Sequence, residues 1–140
     1  MPYCTQQDMI DRVGDEELIQ ITNPEDPSAT TINATRLDKA INDGAVFIDG
    51  FLRSRYQLPL SVIPEVLERL NCVITRYYLY KHPTDQVMKD YDDAVSHLRL
   101  VSKGDVDLGL SASGDTPPTS DSAEVQTQPT VFGRDDGGFI

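Results

Sequence analysis

Three stretches of this sequence carry apolar residues three and four positions apart, each closed off by proline or glycine, and that pattern commits the chain to packed helices. In the first, Leu37, Ala40, Ile41, Ala45, Ile48, Phe51 and Leu52 keep the spacing up to Tyr56. Asn33 stands where an N-cap belongs, and Pro59 ends any continuation. A helix of about 22 residues spans roughly 33 Å. Gly44 and Gly50 fall inside it. Each costs about 1 kcal/mol relative to Ala, so a bend or a close neighbour is expected there. In the second stretch Pro64 suits a first helical position, and Val66, Leu67, Leu70, Val73, Ile74, Tyr77 and Tyr78 form the most apolar helix, running to about Lys81. In the third, Thr84 caps a helix with Val87, Met88, Tyr91, Ala94, Val95, Leu98 and Val101 on one face, and Gly104 closes it.

Two shorter helices precede these. Thr5 and Asp8 form a capping box ahead of Met9, Ile10 and Val13, and Gly14 is a natural stop, which predicts a helix over about Gln6 to Val13. Asp15, Glu16 and Glu17 then crowd a first turn, where the helix dipole favours carboxylates, before Leu18, Ile19 and Ile21. That second helix ends near Thr22, and the two prolines between Asn23 and Thr31 mark a loop. Val106, Leu108 and Leu110 alternate with polar residues and predict one short strand.

Composition changes at Ser111. Of the 30 residues from there to Ile140, 19 are Ser, Thr, Pro, Gly or Asp, and the apolar ones have no period. Such a segment does not recover its ordering entropy alone. The expected organisation is therefore an all-α body of four to five helices over residues 1–110, with a flexible or extended tail over 111–140. Both parts are acidic: the tail holds five acids and Arg134, which leaves 18 acids and 11 bases, a charge of −7, on the body. A chain at −11 overall is poorly suited to gripping nucleic acid or an anionic membrane, since phosphate binding needs a local excess of Lys and Arg. Asp8 and Asp11 occupy the stretch where a signal peptide needs apolar residues, so the chain is expected to stay in the cytosol where it is made. The longest apolar run, Ala45 to Ile48, is far too short to span a membrane.

Chemistry is sparse. His82 and His97 sit on different predicted elements, and Cys4 and Cys72 do not make a disulfide framework; Cys72, among Leu70, Val73 and Ile74, reads as a buried, inert thiol. Asp105, Asp107 and Gly109 resemble the start of a calcium loop, but Leu110 and Thr116 fall where the loop needs Gly and Glu. Asp49 and Asp90 can be drawn as an acid/base pair, yet charged residues on amphipathic helices ordinarily form the solvated face. No metal, cofactor or catalytic activity is expected. Asp49 also stands four residues before Arg53, the spacing of an intrahelical ion pair. Arg53, Arg55 and Arg76 are the concentrated basic group, a candidate contact for a partner's carboxylates, and the apolar residues at the far end of the tail are candidate anchors.

Several of these residues together carry a resemblance. Met1-Pro-Tyr3, Asp8-Met-Ile10, Glu17-Leu-Ile19, Ile48-Asp-Gly-Phe-Leu52, Arg55-Tyr56, Leu58-Pro-Leu60, Arg76-Tyr77, Leu79-Tyr80 and Leu108-Gly109 are similar to the small Mu-type phage and prophage head-completion family. The run from Ile48 to Leu60 is the most specific part, and the ending Phe132-Gly-Arg-Asp-Asp-Gly-Gly-Phe139 also resembles family members. The family resembles the helical head-tail connectors, or adaptors, of long-tailed phages. The resemblance implies a structural virion protein in the neck. It would be a homo-oligomeric, twelve-fold ring beneath the portal protein, followed by a stopper or other neck protein, with DNA passing through and no membrane contact. It further implies a tail anchored on the portal through Val131, Phe132, Arg134, Phe139 and Ile140, ring or partner contacts at Arg53, Arg55 and Arg76, and Asp90, Asp92 and Asp93 as acids facing the DNA channel, where carboxylates repel phosphates. The alternatives are a stopper or tail terminator, which are typically strand-rich, and a non-virion regulatory binder of a host protein.

Overall fold

A computed structural model describes residues 2–110 of the chain, and within them the fold is all-α. The five helices are α1 (Gln6–Val13), α2 (Asp15–Thr22), α3 (Ala34–Leu52), α4 (Glu65–Leu79) and α5 (Asp85–Lys103). The helix starts follow the expected local chemistry. Thr5 Oγ1 accepts from the Asp8 N–H at 3.1 Å while the Asp8 carboxylate accepts from the Thr5 N–H at 2.8 Å. Asn33 accepts from the Arg36 N–H at 3.1 Å and Thr84 from the Val87 N–H at 3.2 Å, so α1, α3 and α5 each begin with a satisfied cap worth about 1 kcal/mol. Gly14, at φ +100°, ends α1 and starts α2 with no residue between, and Gly104, at φ +90°, turns the chain out of α5.

The helix ends depart from expectation. α3 stops at Leu52 rather than Tyr56: the Arg55 N–H tightens the turn onto the Leu52 carbonyl at 2.9 Å, the Tyr56 N–H shares that carbonyl at 2.9 Å, and the Tyr56 side chain is buried in the core. Pro64 is the cap of α4 rather than its first helical residue, and α4 ends at Leu79, where Tyr80 turns extended and packs on the core. The predicted strand is absent among the described residues. Val106, Leu108 and Leu110 do bury one side, but against helices: Leu108 N–H donates to the Tyr56 hydroxyl at 3.2 Å, and Gly109 N–H turns back to Asp107 Oδ1 at 2.8 Å, leaving no neighbour for a ladder. The alternation was that of a chain laid on a helical surface.

Packing centres on α3 against α4, with α5 against both. The core has two parts. One joins Ala45, Ile48 and Leu52 of α3 to Leu67, Leu70 and Ile74 of α4 and Ala94, Leu98 and Val101 of α5. The other joins Met9, Leu18 and Ile21 of the short helices to Leu37, Ala40 and Ile41 of α3 and Cys72 and Leu79 of α4. Gly44 lies between them on α3, and a Cβ there would stand 2.6 Å from the Asn71 amide and 3.3 Å from Thr75 Oγ1. Asn71 and Thr75 are fully buried. With its amide oriented to accept from the Tyr3 N–H at 3.0 Å and donate to the Ile41 carbonyl at 3.3 Å, Asn71 ties the N-terminal segment and α3 to α4. The close neighbour expected at Gly44 is therefore real. At Gly50 a Cβ would meet nothing within 4 Å.

These two glycines make opposite predictions. Gly44→Ala forces the Asn71 amide aside and is expected to destabilise the protein by about 1–3 kcal/mol. Gly50→Ala, exposed and helical, is expected to stabilise it by about 0.5–1 kcal/mol. Urea or thermal denaturation of both variants checks the pair; equal effects would contradict the close approach at Gly44.

Candidate functional site

The basic group expected from the sequence is split by the fold. Arg76 is partly buried and held by acids of the fold: its Nε lies 2.5 Å from Glu17 Oε2 and its Nη2 3.0 Å from Glu17 Oε1, with Asp90 3.9 Å from Nη1. The hydrogen bonds to Glu17 raise its pKa further, so the charge is permanent and joins α2, α4 and α5. Arg12 spans α1 and α4 in the same way, its Nη2 2.9 Å from Glu68 Oε1. Arg55 caps a helix instead of waiting for a partner: its Nη1 donates to the carbonyls of Val101 at 3.3 Å and Val106 at 3.4 Å, at the C-terminus of α5 where a cation offsets the dipole. Only Arg53 of the three is left exposed and without an acid within 4 Å among the described residues. The Asp49–Arg53 ion pair does not form, because Asp49 accepts from the Tyr3 hydroxyl, whose pKa is raised by burial and by that carboxylate.

Of the acids of α5, Asp90 and Asp93 line one cavity with Arg69 and His97, apart from Asp92. Asp93 pairs with Lys89 at 3.0 Å, Asp90 accepts from Gln86 at 2.8 Å beside Arg76, and Asp92 lies on a different groove with Phe47, Phe51, Tyr91 and Arg99. Asp49 and Asp90 line separate cavities and are not brought together. Among the described residues no three His, Cys, Asp or Glu side chains are grouped closely enough to hold a metal ion. Cys4 and Cys72 are both buried and free, and their mutual contact together with burial pushes the Cys4 thiol well above its usual range. The tail anchors Val131, Phe132, Arg134, Phe139 and Ile140 lie outside the described residues.

What the helical pattern concealed is an aromatic face. Tyr77 and Tyr91 stack with ring centroids 3.9 Å apart, and Phe47 sits within 6.4 Å of Phe51, Tyr78 and Tyr91. Tyr78, read as core from the periodicity, stands at the rim, its hydroxyl pushed up to about 12 mainly by partial burial. It borders an open groove of about 900 Å³ formed with Arg36, Lys39, Val46 and Lys81. Val46 is 68% exposed, and Met88 of α5 is exposed as well. Phe47 and Phe51, one turn apart on α3, were the signal available in the sequence, masked because the main stripe of that helix runs one position away.

No described helix is long and apolar enough to cross a membrane. The fold defines a small helical protein whose built features are surfaces and buttressing ion pairs. Residues 3–127 match the family described as Bacteriophage Mu, Gp36, and the chain belongs to that family of Mu-type phage proteins. It is 38% identical over 116 residues to the Mu-like prophage FluMu protein gp36 of Haemophilus influenzae, covering 81% of this chain and 82% of that protein. It is 36% identical over 142 residues to Gene product J of Escherichia phage Mu, covering 100% of both.

The Glu17–Arg76 pair supplies a direct test of the buttress. Glu17→Gln, Arg76→Met and the double variant form a cycle whose coupling energy is expected at about 0.5–1 kcal/mol, since both side chains are mostly but not fully buried. A coupling near zero by chemical denaturation would mean that the pair only decorates the surface.

Proposed function

We propose that this chain is a structural head-tail connector of the adaptor type, assembling as a ring beneath the portal of a Mu-like phage particle and passing its C-terminal segment onto the portal. The observation that carries the proposal is the apolar face of the body. Phe47, Phe51, Tyr78 and Tyr91 pack together across α3, α4 and α5, Val46 borders the same groove as Tyr78, and a single copy leaves Val46, Tyr78 and, one turn before Tyr91 on α5, Met88 in contact with water. A ring subunit needs apolar surface of this kind, because each copy covers part of the next. The all-helical body favours an adaptor over the strand-rich stopper and terminator proteins. Its net negative charge also suits a protein beside which DNA slides, since carboxylates repel phosphates and form no adhesive contacts.

The reading further supports a tail that orders on its partner. Its apolar residues come at the far end of a polar segment, so a docked tail would gain buried area and lose entropy only on assembly. Quantitative mass spectrometry of purified particles tests the proposal through the ratio of this chain to portal protein. A ratio near one is expected for a ring matching the portal. Absence of the chain from finished particles would overturn the proposal and favour a regulatory binder.

A further inference from the structure

The two ends of the bundle differ in charge. Along α5 the acids Asp85, Asp90, Asp92 and Asp93 fall in the first half with Lys89 as the one base, while the half from Ala94 to Lys103 holds Arg99 and Lys103 and no acid. The C-terminus of α3 arrives at that same basic end. Ser54 Oγ lies 3.3 Å from Ser102 Oγ, and Arg55 reaches the Val101 carbonyl, which brings Arg53 and Arg55 to the end of α5 that carries Lys103. Arg53, Arg69, Lys81, Arg99 and Lys103 are exposed and have no acid within 4 Å among the described residues, whereas Arg12, Arg36, Lys39, Arg76 and Lys89 are each paired. Of the five, Arg69 and Lys81 line grooves that also hold acids, Asp90 and Asp93 for the first and Glu25 and Asp43 for the second, away from this end. Leu100, 40% exposed, lies between Arg99 and Lys103 in the sequence of α5. The acids present at this end are Asp105 and Asp107, and Asp107 is already engaged by the Gly109 N–H and the Tyr56 hydroxyl. Farther from the end, Asp49 shares a cavity with Arg53 and Asp92 a groove with Arg99, neither within ion-pair distance.

The described chain also finishes here. Leu108 is pinned to the Tyr56 hydroxyl just beyond the end of α3, and Leu110 packs against the same core, so the 30 residues that follow start from this end of the body. Whatever binds the tail is thereby held at high effective concentration next to Arg53, Arg99, Leu100 and Lys103. Under that condition exposed ion pairs that are individually weak act together.

We propose that the end of the bundle where α3 and α5 finish is a docking face for an acidic protein surface, that of the same protein that receives the tail, with Arg53, Arg99 and Lys103 meeting carboxylates and Leu100 meeting an apolar patch. The inference rests on the tail-on-portal reading and adds an orientation to it: this end faces the portal and the acidic start of α5 faces away. A protein surface suits the face better than DNA, because an exposed leucine and two acids share it and the body as a whole is acidic.

The test titrates the full-length chain onto purified cognate portal rings at low and high salt. Arg53→Glu, Arg99→Glu and Lys103→Glu combined are expected to weaken binding about tenfold or more, with the loss shrinking as salt screens the contacts. The corresponding Gln variants should lose less, and Lys89→Glu, on the other half of α5, should bind as the parent does. Far-ultraviolet dichroism checks that each variant is folded. A triple Glu variant that binds like the parent overturns the docking face while leaving the connector reading intact, and so does a loss of duplex DNA binding with portal binding unchanged. A parent chain that does not bind portal rings overturns the connector reading and this face with it.

Discussion

The backbones of α3 and α4 come together at Gly44, and the remainder of the body is arranged around that approach. The missing side chain lets the Asn71 amide and Thr75 hydroxyl lie directly against α3, at distances a Cβ would not tolerate. Burying an amide costs several kcal/mol unless its hydrogen bonds are met, and here the partners are the Tyr3 N–H and the Ile41 carbonyl. One polar side chain thus fixes three segments at once. Because it sits where the two apolar clusters divide, it sets the register of both: α1 and α2 pack on one side of it, and α5 on the other. Tyr3 adds a second tie through its hydroxyl to Asp49, one helical turn and more along α3.

From that centre outward the molecule is stiffened by charge. Glu17–Arg76 and Glu68–Arg12 are long-range pairs that lock the short N-terminal helices onto α4, and Arg55 closes the C-terminus of α5 from α3. These cations are consumed within the fold. Among the described residues the side chains not used in this way include the exposed Val46, Tyr78 and Met88 and the bases Arg53, Arg69, Lys81, Arg99 and Lys103.

Local signals in the sequence were enough for the architecture. Thr5, Asn33 and Thr84 cap, and Gly14 and Gly104 stop, through contacts with residues a few positions away, and those contacts do not depend on the rest of the fold. The points that were not legible are those decided at a distance. Tyr56 ends α3 four residues early because it is drawn under the 106–110 segment, and that segment imitates a strand because it lies on helices. The basic group dissolved for the same reason: the partner of Arg76 is 59 residues away, and those of Arg55 are carbonyls 46 and 51 residues on. Gly44 and Gly50 look alike in sequence, and only the placement of Asn71 separates them.

A cryo-electron microscopy reconstruction of the head-tail junction in finished particles tests the account most directly. It predicts a closed ring of five-helix bodies immediately beneath the portal, with α3 and α5 aromatic side chains buried between neighbouring copies. A junction in which the layer under the portal is built from another chain, or in which Val46, Phe47 and Tyr78 face open solvent, would contradict it.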